Sequence, residues 1–190
     1  MPASLLEQVK KNLSDSETIK EILQEYQLIV DSCEQPIERY GAYEEQKKYY
    51  SGKKKNHTLK NQLIVLPNGK DIVDVIAGKP GPKSDVKLFR ETQNSFDENQ
   101  KFNGDQAYEG EALIRTPHKK PKKRELTPEQ KKKNQKLAVE RVIVEHVIRL
   151  VKIFRVAQER FRLNTRKYEQ IIGIICGLVR LRIGALILPI

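Results

Sequence analysis

Three carboxylates stand where a folded chain would hold them rigidly. Asp31 ends the apolar run of "QLIVDS", Asp105 lies in the glycine-flanked "NGDQAYEG", and Glu145 sits at the centre of "AVERVIVEHVIRLVKIF", residues 138–154. Two acids at strand ends and a third on a packed helix can converge on a pair of divalent cations, which are hard and prefer oxygen ligands. Such a pair, about 3.5–4 Å apart, activates a water or a 3′-hydroxyl and stabilises the leaving oxygen of a phosphodiester. It also offsets the carboxylate repulsion that otherwise raises a pKa. Each acid has a plainer explanation as well. Asp31 can cap the turn after its strand, and Asp105 can serve as a turn residue beside glycine. Glu145 can pair with Arg141 or Arg149, each four residues away, a contact worth only about 0.3–0.5 kcal/mol when exposed. Spacing alone leaves these alternatives open.

The elements that must position these acids are legible from periodicity. Residues 1–26 read as a modestly amphipathic helical segment, with Leu5, Leu6, Val9 and Leu13 at helical spacing and a break and restart near "SDSE". "QLIVDS" reads as a short buried strand that delivers Asp31 at its tip. "HTLKNQLIVLP" and "KDIVDVIAG" flank Asn68-Gly69, a hairpin signal because this dipeptide accepts positive φ. "SDVKLFRETQ" begins a helix capped by Ser84 or Asp85. Asp85 is the rival for the second acid, and a capping role explains it better. "KFNGDQAYEG" and "ALIRTP" hold two brief strands. Residues 118–136, nearly all lysine, proline and glutamine, read as an exposed basic loop, although Thr127-Pro128-Glu129 has the form of a helix start. A long helix follows from about Lys136 to about Gln158, and a second from about Arg166 to about Arg180, ending in a short extended tail. The order predicts a mixed α/β domain with one central sheet over residues 27–190.

At 190 residues the chain suits one domain with a substantial core. A formal charge of +11, with lysine runs at 52–57, 118–124 and 131–133, points to a polyanionic partner, nucleic acid before membrane. Cys33 and Cys176 are too few and too far apart for a disulfide framework, and neither they nor His57, His118 and His146 have zinc-site spacing. "GKPGPK" lacks the spacing and the terminal Lys-Ser/Thr of a phosphate loop. No signal peptide is visible. The tail "IIGIICGLVRLRIGALILPI" has the length of a membrane span. Arg180 and Arg182 near its middle would each cost about 2.5–3.5 kcal/mol there, so it reads as buried helix.

Several blocks together resemble the DDE transposases of bacterial insertion sequences: "VDSCEQPIERY", "YYSGKKKNHTLKNQ", "GDQAYEG", "KKPKKRELTPEQKKKNQKLAVERVIVEHVIRLVKIFR" and "GLVRLRIG". The most telling is Arg141, three residues, Glu145, six residues, Lys152, which is similar to the family's C-terminal R-E-K pattern around the third catalytic acid. Cys33 and Tyr40 stand where threonine and proline are more usual, and Gln106-Ala107 where lysine-glycine is commoner; none of these removes an acid. The resemblance implies an RNase H-like fold, an α/β domain with a central mixed sheet flanked by helices. In it Asp31 is the first acid, Asp105 the second and Glu145 the third.

What the resemblance implies for function is metal-dependent DNA strand cleavage and 3′-hydroxyl strand transfer at insertion-sequence ends. Asp31, Asp105 and Glu145 would hold two Mg2+ or Mn2+ ions. Lys53, Lys54, Lys55, His57 and Lys60 would hold the DNA backbone near the site, with Lys119 and Lys120 contributing from the basic loop. Arg141 and Lys152 fall within about 40° of Glu145 on one helical face and suit phosphate contacts or pairing with Glu145. Tyr108 could stack on a base or simply pack. Complete relatives carry a helix-turn-helix region before the first acid, where this chain has only residues 1–26. It therefore resembles the catalytic half of a transposase, served by a separately encoded N-terminal half and acting as a homo-oligomer on DNA. Such a protein is expected in the bacterial cytoplasm, at the nucleoid. A different class of function fits the same basic surface: a catalytically idle DNA-binding regulator that competes with a full-length transposase.

Overall fold

The sheet is organised around β1 (Leu28–Pro36), which alternates its side chains between two cores. In the computed structural model, which describes residues 16–122 and 124–184, β1 pairs antiparallel with β3 (Asn56–Val65) along eight residues, from Ile29↔Val65 to Pro36↔Thr58. On its other side β1 runs parallel to β5 (Phe102–Asn103), which in turn runs parallel to β6 (Ile114–Arg115). The far edge of β3 carries β2 (Tyr50–Ser51) at one end and β4 (Ile72–Pro80) along the rest, both antiparallel. The result is a six-stranded mixed sheet flanked by helices, consistent with an RNase H-like fold.

One face buries Ile29, Leu59 and Leu63 against α4 (Pro128–Lys152) and α6 (Tyr168–Arg182), through Val144, Val147, Ile148, Val151, Ile172 and Val179. The other buries Leu28, Val30 and Ile64 against α3 (Asp85–Thr92) and an aromatic group of Phe89, Phe96, Phe102 and Tyr108. Phe89 meets Phe102 edge-on at 4.9 Å, and Phe96 does the same at 5.3 Å. The β3–β4 hairpin turns as the Asn-Gly pair predicts. Gly69 has φ +69°, and Asn68 Oδ1 accepts from the Lys70 N–H.

The structure departs from the sequence reading at four places. β1 does not stop at Asp31 but continues to Pro36, so Asp31 is mid-strand. The polar residues that ended the apolar run find partners instead: Ser32 Oγ donates to Asp85, Glu34 accepts from Thr58, and buried Gln35 donates to the Val156 and Glu159 carbonyls. The long helix starts at Pro128, which shortens the expected loop of 118–136. A reciprocal cap fixes that start, with Thr127 Oγ1 accepting from the Gln130 N–H and Gln130 Oε1 accepting from the Thr127 N–H. The same helix ends at Lys152, and a separate short helix, α5 (Arg155–Gln158), follows. Finally, α2 (Tyr43–Tyr49) buries no residue and so has no apolar stripe for periodicity to find.

The second late helix begins at Tyr168, after a single 3-10 turn at Thr165–Lys167. Of the segment expected at 1–26, α1 (Ser16–Gln24) is a helix. Leu5, Leu6, Val9 and Leu13 lie outside the described residues, as does the tail beyond Gly184. No helix among the described residues is long and apolar enough to cross a membrane. Arg180 explains itself otherwise: its guanidinium grips Asp71 on the hairpin through two hydrogen bonds, at 2.6 and 3.0 Å.

Candidate active site

Alternation along β1 puts Asp31 on the same face as Ile29, toward α4. The parallel ladder then brings up the second acid. Ile29 is in register with Asn103, and two residues farther along each chain stand Asp31 and Asp105. Asp105 is fixed by its own backbone, since its Oδ1 accepts from the Ala107 N–H at 2.8 Å and caps the 3-10 turn Gln106–Tyr108. The residue before it must be glycine. A Cβ at Gly104 would come within 2.8 Å of Ile114 Cγ2 and 2.9 Å of a Tyr108 ring carbon. Tyr108 itself is fully buried, edge-on to Phe89, and accepts a hydrogen bond from Gln62, so the open choice between stacking on a base and packing resolves to packing.

Burial pushes the Asp31 carboxyl up from 3.8 to about 6. The Ser32 N–H, 2.8 Å from Oδ1, pulls it partly back; the negative charge of Asp105 and then Glu145 raises it, and Arg141 opposes them. Asp31 thus lies in the field of both other acids. Glu145 is half exposed on α4, and Arg141 Nη2 lies 3.8 Å from it, so the simple i,i+4 pair exists as well. The Arg141 Nε is buried and has no partner among the described residues.

Oxygen-only donors at Asp31, Asp105 and Glu145 suit a hard divalent cation, and a buried carboxyl beside two others is a place where added positive charge is favoured. Even so, no three His, Cys, Asp or Glu side chains among the described residues close into a ready-made metal cage. Asp85 is on the opposite face of the sheet. Ser84, not Asp85, caps α3, by accepting from the Lys87 N–H; Asp85 instead accepts from Ser32 Oγ at 2.6 Å and pairs with Lys60 Nζ at 2.9 Å.

The cations expected to hold DNA separate into groups. Lys53, Lys54 and Lys55 form the exposed tip of the β2–β3 hairpin, where Lys55 has φ +50°. Lys53 and Lys54 line a cleft of about 190 Å³ with Lys60, Lys152, Ser32, Cys33, Glu34 and Asp85. Lys152 therefore shares the cleft beside β1, two helical turns beyond Glu145. Lys60, in the same cleft, is buried and paired with Asp85. His57 lies at the root of the hairpin, edge-on to Tyr50 at 5.5 Å. Lys119 and Lys120 are on the exposed loop, beside Glu109 and Glu125 respectively. That loop is tied back to α4 by Asn134, which accepts from the His118 N–H and donates to its carbonyl.

Sequence reasoning missed a second set of residues. Glu140 accepts from Asn103, whose amide oxygen accepts from Gln27, each at 2.7 Å; this chain ties α4 to the strand that leads to Asp105. Three isolated polar residues so far apart carry no sequence signal.

Comparison with known proteins agrees with this geometry. Residues 30–180 match the family model described as DDE superfamily endonuclease, a span that includes all three acids. The chain is 37% identical over 166 residues to a protein of Microchaete diplosiphon named as a probable transposase for insertion sequence element IS702. That alignment takes in 85% of this chain and 59% of the relative, so the chain spans about three-fifths of the relative's length. No solved structure matches it. With a mixed sheet that sets one acid mid-strand on β1 and the next just beyond the adjacent parallel strand, and a family match across 30–180, this chain belongs to the DDE superfamily of endonucleases.

Proposed function

We propose that this chain is the catalytic part of an insertion-sequence transposase, cleaving DNA strands at element ends and joining the freed 3′-hydroxyl to target DNA. The observation that supports this most is the equal offset of Asp31 and Asp105 from the aligned pair Ile29↔Asn103, with Glu145 close enough to raise the Asp31 pKa. Asp31, Asp105 and Glu145 would hold two Mg2+ or Mn2+ ions. Divalent ions bound by these carboxylates supply a deprotonated water or 3′-hydroxyl and stabilise the leaving oxygen.

The chain's own residues supply position and charge. Burial and the negative field of Asp105 and Glu145 make the ionised form of Asp31 costly, and added positive charge would offset that cost. Arg141 provides part of that charge, and its pairing with Glu145 keeps that side chain near the site. Lys53, Lys54 and Lys152 hold backbone phosphates alongside β1, which aligns the scissile bond; in-line phosphoryl transfer depends chiefly on such positioning. Synapsis of two element ends calls for at least two such subunits on DNA. A separately encoded N-terminal half is the proposed source of end recognition, and the proposed setting is the bacterial nucleoid.

The second reading is an idle DNA-binding regulator of a full-length transposase. Glu145's ion pair with Arg141, and the open arrangement of the carboxylates, favour it. One assay separates the two: Mg2+-dependent nicking of DNA that carries the element's ends, wild type against Asp31→Ala. Loss of nicking in the variant supports the enzyme, and equal nicking in the two would refute it. Binding that weakens steeply with salt is expected under either reading.

A further inference from the structure

A second cleft, of about 400 Å³, opens at the root of the lysine hairpin. It lies between α2 and the root of the β2–β3 hairpin, and Arg39, Tyr43, Gln46, Lys47, Tyr50 and His57 line it. Nothing in the carboxylate site uses it. Two large aromatic side chains are left open to solvent here, Tyr43 at 73% and Tyr50 at 47%. Such rings normally contribute area to a core or an interface.

The cleft is held in shape. Gln46 donates its amide to the Tyr40 and Gly41 carbonyls and accepts from Arg39 Nε at 2.8 Å, so one side chain both anchors α2 and aims the guanidinium. Tyr40 stacks on Tyr49 at 5.0 Å behind α2, and Tyr50 rests edge-on against His57. The lining contains no carboxylate. The ion pairs of the described residues do not include Arg39, Lys47 or His57, and the nearby Glu38 is taken by Arg160 at 3.6 Å.

Open π-faces beside unpaired cations are the chemistry of a platform for unstacked bases, each worth about 1–3 kcal/mol and tolerant of sequence. A base inside a duplex is already stacked and offers no face. We propose that this cleft binds an unpaired nucleotide of DNA, its base against Tyr43 and Tyr50 and its phosphate held by Arg39 and Lys47. Its place fits the transposase reading, on which this inference rests. The hairpin presents Lys53 and Lys54, at its tip, to the first cleft and Tyr50 and His57, at its root, to this one, three residues apart along the chain. A strand held by Lys53 and Lys54 would bring a neighbouring nucleotide to the aromatic cleft at the root of the same hairpin. The site would keep a strand parted from its complement beside the lysine hairpin.

The test is fluorescence titration of the full chain with a short single-stranded oligodeoxynucleotide carrying 2-aminopurine, alongside the same sequence fully paired. Wild type is expected to quench the single-stranded probe. The Tyr43→Ala/Tyr50→Ala double variant should bind that probe roughly 5- to 150-fold more weakly per lost stack, while duplex affinity stays within about twofold. Tyr43→Phe/Tyr50→Phe keeps both rings and should bind as wild type does. Both tyrosines are surface residues, so the variants should fold, and a matching thermal transition would confirm it. Unchanged single-strand binding in the alanine variant, or an equal loss for duplex, overturns the proposal. The transposase reading is tested separately: if wild type and Asp31→Ala nick alike while the tyrosine variants lose single-strand binding, that reading falls and the cleft stands.

Discussion

Asp31 offers the sharpest perturbation, because the same burial that positions it makes it costly to ionise. Its carboxyl titrates at about 6 in the folded chain against an ordinary value of 3.8, a difference of about two units. At 1.36 kcal/mol per unit this corresponds to roughly 3 kcal/mol of stability. The sign follows from the raised folded value. The neutral form is favoured by folding, so stability is full below about pH 3.8 and is lost as pH rises through about 6. Asp31→Asn keeps an oxygen that can accept from the Ser32 N–H but carries no charge to desolvate. The variant is therefore expected to be more stable than wild type by about 3 kcal/mol near pH 7, and by almost nothing below pH 3.8. Urea unfolding across this pH range, without divalent metal, measures the difference directly. With Mg2+ added, wild type should gain stability by mass action and Asp31→Asn should gain less. A variant no more stable than wild type near neutrality, or one with the same advantage at every pH, would show that desolvation does not govern Asp31.

Three further outcomes follow from the packing. Gly104→Ala must push against Ile114 and the Tyr108 ring, and should cost about 1–3 kcal/mol and weaken nicking more than overall fold content, as read by denaturation and the nicking assay. Tyr108→Ala should cost about 3–5 kcal/mol, whereas Tyr108→Phe, which loses only the hydrogen bond from Gln62, should cost about 1–2 kcal/mol, both measured by urea unfolding. Asp71→Asn removes the charge that Arg180 grips and should cost about 1 kcal/mol, with a smaller effect at high salt.

What could be read from the sequence, and what could not, divides along physical lines. The β3–β4 hairpin, α3 and α6 were legible because burial imposes a period of two or 3.6 on their apolar residues and because Asn68-Gly69 demands positive φ. The three acids were legible chiefly from resemblance: for Glu145, local spacing predicts an ion pair, and the structure does contain one with Arg141. Elements that bury nothing carried no such pattern, which is why α2 was passed over and the first turns of α4 were legible only from the start signal at Thr127-Pro128-Glu129. The polar half of β1 read as a strand end because its partners are remote: Asp85, Thr58, Val156 and Glu159. The pairing of Lys60 was hidden for the same reason. Nothing near this residue in sequence shows that it points at Asp85 from inside the fold.

The short parallel ladder between β1 and β5 has a mechanical consequence. Only Leu28↔Phe102 and Ile29↔Asn103 are paired, after which the two strands go separate ways, β1 along β3 and the other chain through Gly104 into its 3-10 turn. The acids thus stand on the two prongs of a fork whose crotch is Ile29 and Asn103. No hydrogen bond of that ladder crosses the gap between Asp31 and Asp105, and Gly104 is held from the other side, its N–H donating to the Arg115 carbonyl at 3.1 Å. The spacing of the two acids is therefore set by what anchors each prong beyond the crotch, β1 on β3 and the Asp105 turn on β6.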